Sequence, residues 1–256
     1  GIMASTYLLN NLHRFSKEQV KAVRRVYYAC LTQIDYNLGL LFARMREMDL
    51  MKNTWMIFTT DHGEMLGDNH MGAKSVFLVG SAHIPLIVKP PGEAWDKKEL
   101  FSERCSEIAA LKDIMPTCLD IAGIPRDEQP ATDGVNLIDL LKGDAQRNEL
   151  IGNCSGYNMV LDGYVKYHYT QMGAEELLFD LEKDPYEQKN LINDPAYADR
   201  LEKLRKRMVE SLTDFGSDAV QDGKLVSTGA PKSETEAHEQ SWPGFHHRDV
   251  PTDVLH

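Results

Sequence analysis

The segment Thr54–Thr60, Thr-Trp-Met-Ile-Phe-Thr-Thr, constrains the fold most. It is β-branched and aromatic, nearly all apolar, and it stops at Asp61-His62-Gly63. Such a run reads as a strand buried on both faces, the usual condition of strands in a parallel sheet. The rest of the chain must then supply cover for that sheet. Upstream, Val20, Val23, Tyr27, Cys30, Ile34, Leu38, Leu41, Met45 and Met48 recur at steps of three or four and form one helical stripe. Ser16 with Gln19 is a capping-box signature at its start. The stripe predicts a core-facing helix, and its length places a break near Gly39. Downstream, Ile84–Val88 reads as a second buried strand, halted by Pro90-Pro91-Gly92. A helix is expected over Ile108–Ala122, closed by Gly123 and Pro125, with a kink or restart at Pro116. This element order predicts an α/β layer fold with a mostly parallel sheet.

The pattern changes near Glu149. Short runs at Leu150–Cys154, Asn158–Leu161, Tyr164–Thr170 and Leu177–Asp180 are separated by Gly, Asn and Asp, which predicts an antiparallel meander. Asp194-Pro195 then opens a helix with the stripe Leu201, Leu204, Met208, Leu212 and Phe215, ended by Gly216. The expected organisation is an α/β part over 1–148, a small antiparallel-sheet-plus-helix subdomain over 149–216, and an extended tail over 217–256. Trp242-Pro243-Gly244-Phe245 is a candidate anchor for that tail. Its histidines, His238, His246, His247 and His256, fit no zinc spacing.

Charge narrows the partners. Lys plus Arg is 28 against 39 for Asp plus Glu, a net charge of −11. That balance argues against nucleic acid and against an anionic membrane surface. No apolar run approaches the roughly 20 residues of a membrane span, and the opening residues do not read as a signal peptide. Cys30, Cys105, Cys118 and Cys154 form no CxxC pair and read as free thiols. The compartment stays open between periplasmic or secreted and cytoplasmic.

The chemistry-bearing stretch is residues 59–92. Asp61 and His62 lie just past a strand end, where open α/β sheets bind ligands. A carboxylate and an imidazole on one loop can reach a single divalent cation, and the carboxylate favours a hard ion such as calcium or magnesium. Gly63 lets the chain turn away without a Cβ clash. Lys74 could hold an anionic oxygen. His83, at the mouth of the next strand, could be a general acid, a substrate donor or a structural residue. Singly, each of these residues also reads as a solvated loop side chain. Together at one strand end they read as a site.

The run Thr-Asp-His-Gly-Glu, Leu-Gly-Asp-x-His, Gly-x-Lys, His-Ile-Pro-Leu-Ile and Pro-Pro-Gly resembles the C-terminal half of the sulfatase family, of the alkaline-phosphatase-like superfamily. Asp113, Pro116, Thr117, Gly123-Ile124-Pro125 and Asp133-Gly134 extend the resemblance. So does Leu178-Phe179-Asp180-Leu181 with Asp184-Pro185, Glu187 and Asn190-Leu191. It covers about residues 16–215. By this resemblance the sheet is part of an alkaline-phosphatase-like sandwich. Asp61 and His62 match metal-ligand positions, with calcium the usual ion. Lys74 matches the lysine that contacts the sulfate group, and His83 lies near the pocket. The implied reaction is hydrolysis of a sulfate ester.

One departure is as informative as the match. The family's nucleophile is a cysteine or serine in C/S-x-P-x-R, converted to formylglycine, and none of the four cysteines is followed by that pattern. The family's early paired aspartates are absent too. The chain therefore reads as a C-terminal portion, inactive alone, whose partners are a sulfate-ester substrate, the missing N-terminal half and, as a further candidate, a second copy in a homo-oligomer. Two alternatives stand beside it: a phosphonate or phosphate ester hydrolase of the same superfamily, and a non-catalytic binding or oligomerisation module.

Overall fold

A computed structural model describes residues 15–92 and 104–229. Helix α1 spans Lys17–Glu47 without a break. Its capping box forms as expected: Ser16 Oγ accepts from the Gln19 amide, and Gln19 Oε1 accepts from the Ser16 amide at 2.8 Å. The expected break at Gly39 is corrected, since a lone glycine weakens a helix without ending it. The expectation that α1 faces a core is corrected as well. None of its residues is buried, and Val26, Tyr28, Ile34, Leu40 and Leu41 stand exposed. The periodicity fixed the helix but not the presence of its partner. Val20 and Arg24 near its start do touch the loop at residues 66–68: the Arg24 guanidinium donates to the Leu66 carbonyl and pairs with Asp68, each at 2.7 Å.

Strand β1 (Met56–Thr59) and strand β2 (Leu86–Lys89) form a two-stranded sheet and pair antiparallel, with Phe58 opposite Ile87. The mostly parallel sheet expected from the sequence is not seen among the described residues, whose sheets are antiparallel. A near-continuous apolar run is typical of strands in parallel sheets but does not by itself fix strand direction. Phe58 and Ile87 are both exposed, so this sheet too has an uncovered apolar face. Between the strands lies a loop containing the one-turn helix α2 (Val79–Ala82).

Helix α3 (Ile114–Ile121) begins after a 3-10 turn at Leu111–Asp113, so Pro116 falls in its first turn and marks a restart, not a kink. Helix α4 covers Leu137–Lys142. These two short helices are tied by a buried polar knot. Asp113 takes a bidentate grip from Arg147 at 2.5 and 2.6 Å, and it also accepts the Val135 and Ala110 amides. Thr117 donates to the Asp113 carbonyl and accepts the Leu137 amide. Gly134 is needed there, since a Cβ would fall on the Lys112 carbonyl.

The meander forms at the expected places: β3 (Glu149–Cys154), β4 (Tyr157–Asp162), β5 (Val165–Thr170) and β6 (Glu175–Asp180), antiparallel in sequence order. Alternation assigns its two faces. Val160, Tyr167, Tyr169 and Leu178 face helix α5 (Ala198–Asp214), whose Leu201, Leu204, Met208 and Leu212 complete one core. Phe179 and Leu177 on the other face meet Met65, Met71, Val76 and Leu78 from the loop between β1 and β2. Phe215, counted in the α5 stripe, is exposed because it lies past the helix end at the C-cap.

Residues 217–229 depart from the expected extended tail. Ala219 is fully buried, β7 (Val220–Gln221) and β8 (Lys224–Leu225) form a hairpin, and the Tyr169 hydroxyl donates to the Val226 carbonyl at 2.6 Å. The left-handed Asp222-Gly223 pair closes the hairpin, a short-range turn signal set in a polar stretch. The remainder of that tail, 230–256, with Trp242, Phe245 and its histidines, lies outside the described residues.

Candidate metal and sulfate site

Asp61 and His62 leave the end of β1 exposed, with the Asp61 side chain 80% accessible. The Asp61 carboxylate accepts the His62 amide at 2.9 Å and the Thr60 hydroxyl at 3.1 Å. These bonds, the backbone one first, hold its carboxyl below the usual carboxylate range. His62 Nδ1 lies 2.8 Å from the Gly63 carbonyl. A carbonyl only accepts, so Nδ1 carries a proton, and in the neutral ring Nε2 keeps its lone pair. That Nε2 faces Asp61 Oδ2 at 3.4 Å. That spacing lets both atoms reach one cation, and a proton on Nε2 would instead make the contact an ion pair. A backbone carbonyl on the far imidazole nitrogen is also how proteins orient metal-binding histidines.

Two donors are few. Calcium takes about six to eight oxygens, and no group of three or more His, Cys, Asp or Glu gathers among the described residues. The donor chemistry of Asp61 and His62 thus fits a hard divalent cation, with most of the shell left to other ligands. A formylglycine does not fit this chain: no cysteine carries the required sequence, and Cys30, Cys105 and Cys118 are exposed free thiols while Cys154 is half-buried.

Lys74 and His83 are both exposed. Among the described residues neither bonds to Asp61 or His62, but each is carried by a segment that does bond to the 61–65 turn. Met65 donates to the Ala73 carbonyl at 2.8 Å, which fixes the loop immediately before Lys74. Gly63 donates to the Ser81 carbonyl at 2.8 Å, in the helix turn that ends at His83. Glu64, which reads from sequence as a solvating residue, binds the Leu66 and Ala73 amides and closes this loop on itself. Leu66, Asn69, His70, Ala73 and Ser75 all have positive φ, an uncommon concentration for residues other than glycine.

Gly63 allows a close approach more than a turn: a Cβ there would fall on the Gly80 carbonyl oxygen. Gly63→Ala is therefore expected to cost about 1–3 kcal/mol. Gly39→Ala, at an open position on α1, is expected to be slightly stabilising. Urea midpoints of the two variants check both, and equal midpoints would remove the close-approach explanation.

Residues 6–124 match the Sulfatase family profile, and residues 67–214, more than half the chain, match the profile described as N-sulphoglucosamine sulphohydrolase, C-terminal. The chain is 31% identical over 224 residues to an arylsulfatase of Clostridium perfringens, covering 85% of this chain and 46% of that protein. It is 33% identical over 188 residues to a choline-sulfatase of Rhizobium meliloti, covering 70% of this chain and 35% of that one. The chain thus spans less than half the length of either relative. Its fold is similar to that of a 2-O GAG sulfatase, at TM-score 0.68 and 19% identity, covering 85% of this chain and 50% of the other. It is also similar to the phosphonate monoester hydrolase of Agrobacterium radiobacter, at TM-score 0.65 and 25% identity, covering 84% and 47%. These are folds of the alkaline-phosphatase-like superfamily, and the Asp-His turn, the lysine loop and the meander all fall within the matched residues. Profile, identity and fold agree, and the chain belongs to the sulfatase family.

Proposed function

We propose that this chain is the C-terminal portion of a sulfuric ester hydrolase, contributing part of its cation site and part of its sulfate site. The observation that carries this reading is the Asp61–His62 pair, a carboxylate and an imidazole with Oδ2 and Nε2 3.4 Å apart on an exposed turn at a strand end. A calcium ion bound by them would offset charge on the sulfate oxygens. Lys74 would neutralise an anionic oxygen of the ester. His83 would donate a hydrogen bond or a proton to the leaving oxygen. The nucleophile, a formylglycine, and the remaining ligands would come from sequence that corresponds to the other half of the relatives.

Two apolar surfaces left largely uncovered by the described residues support that division. The stripe of α1 and the Phe58–Ile87 face of the small sheet are both clad in side chains that ordinarily lie inside. We infer that the N-terminal half covers them and that its strands extend β1 and β2 into a larger, mostly parallel sheet. The chain alone then has no nucleophile. The purified 256-residue chain is expected to give no turnover of 4-nitrophenyl sulfate above buffer. Turnover that copurifies with the chain would refute the division.

A second reading, phosphonate or phosphate ester hydrolysis, is favoured by the likeness to the Agrobacterium enzyme, since one cation and one lysine serve either anion. Rates of the whole gene product on 4-nitrophenyl sulfate and on phenyl phosphonate esters, measured side by side, decide between the two.

A further inference from the structure

Three ionisable side chains are buried between the meander and the loop that follows β1. They are Lys166 and His168 on β5, and Glu187 in the turn after β6, each no more than 5% exposed. Glu187 Oε2 accepts the Val79 amide at 2.6 Å. Lys166 donates to the Phe77 carbonyl at 2.8 Å and pairs with Glu187 Oε1. His168 Nε2 lies 3.8 Å from the same oxygen and makes no hydrogen bond, while its ring meets Phe179 edge to face. Burial holds the Lys166 ammonium and the His168 imidazole below their ordinary ranges. Burial also works against the Glu187 carboxylate, but His168 and Lys166 more than reverse it and keep that carboxyl low.

Holding a sheet to a loop does not require this. An apolar pair of the same volume would do so at no electrostatic cost. What the charged pair adds is a grip on backbone: one carbonyl and one amide, two residues apart, are clasped from positions 89 and 108 residues away in sequence. The clasped segment enters α2. The Ser81 carbonyl of α2 holds the Gly63 amide at 2.8 Å, and the Gly63 carbonyl holds the His62 ring at 2.8 Å. Gly63 also approaches Gly80 so closely that a Cβ there would fall on the Gly80 carbonyl oxygen.

We propose that Glu187 and Lys166 are positioning residues for the Asp61–His62 pair, acting through Val79, Ser81 and Gly63 from the face of the meander that meets the loop. This rests on the reading of Asp61–His62 as a cation site. It makes the C-terminal sheet an alignment jig for the end of β1.

The test uses the 256-residue chain. Amide hydrogen exchange is followed at Gly63, Val79 and the β5 amides, and the His62 ring resonances are followed during titration with calcium chloride. In Glu187→Ala, exchange at Val79 and Gly63 is expected to accelerate at least about 100-fold relative to β5, with β5 itself little changed. Glu187→Gln keeps a carbonyl acceptor for Val79 and should restore most of the Gly63 protection; it also serves if the alanine variant does not fold. Leu204→Ala, in the core under α5, should accelerate all these amides by one common factor. Unchanged exchange at Gly63 in both Glu187 variants, or an acceleration shared equally with β5, would overturn the coupling. The calcium arm separates the two ideas. No His62 response in the native chain would show that the pair needs ligands from outside this chain to hold calcium, and the exchange result would still decide the coupling. A native response reproduced unchanged by Glu187→Ala would leave the cation site standing and remove the positioning role.

Discussion

Replacing Arg147 by methionine is expected to destabilise the chain by about 3–5 kcal/mol, the usual consequence of leaving one partner of a buried ion pair alone. Arg147 is 7% exposed and Asp113 fully buried. Without the guanidinium the carboxylate keeps only the Val135 and Ala110 amides, and the joint between the two short helices opens. The double variant Asp113→Leu with Arg147→Met removes both charges and should recover a large part of the loss. Urea unfolding followed by circular dichroism measures all three proteins. A single variant within about 1 kcal/mol of the native chain would show the pair to be dispensable.

The same knot predicts an acid dependence with a definite sign. Burial raises the Asp113 carboxyl, but Arg147 and the two amides outweigh it and hold the group below the ordinary carboxylate range. A carboxyl lowered in the folded state contributes stability that is fully present above its unfolded value, near about pH 4. That contribution is lost as pH falls toward the folded value. The native chain should therefore lose stability below about pH 4 more steeply than the double variant, which lacks the titrating group.

How far the fold could be read in advance varied with how local its determinants are. The four strands of the meander and the α5 stripe follow from alternation, turn residues and helical steps, all within a dozen neighbours. The Asp222-Gly223 hairpin carried an equally local signal and was hidden by the polar composition around it. The direction of β2 against β1 depends on what the intervening loop does, and an apolar run is silent on that. The stripe of α1 marked a real helix whose apolar residues are half-buried or exposed and none fully buried, because periodicity describes one surface and says nothing of the other.

The site shows the same division. Asp61 and His62 were legible from adjacency at a strand end. The link from Glu187 to Gly63 was not, since its members are scattered over residues 63–187 and Lys166 reads as the polar half of an alternating strand. Only the register of β5 against β6 shows that Lys166 and His168 turn inward, beside Phe179 and Leu177. Glu187 and Asn190 had a signal in the turn motif after β6. It named them without indicating that one grips the Val79 amide and the other the Leu178 amide.

The cation-site assignment carries the second large expected effect. The His62 amide and the Thr60 hydroxyl favour the ionised form of Asp61, whose side chain is largely exposed. Asp61→Ala should leave stability nearly unchanged while removing a negatively charged ligand. Its effect on rate is therefore a clean reading of the site. The measurement is hydrolysis of 4-nitrophenyl sulfate by the whole gene product that contains these residues, native and Asp61→Ala, with calcium and after chelation. A sulfatase that binds its cation through Asp61 loses at least about 100- to 1,000-fold in the variant, and chelation slows the native enzyme toward the variant's rate. An Asp61→Ala rate equal to the native one, with calcium present, would contradict the assignment outright.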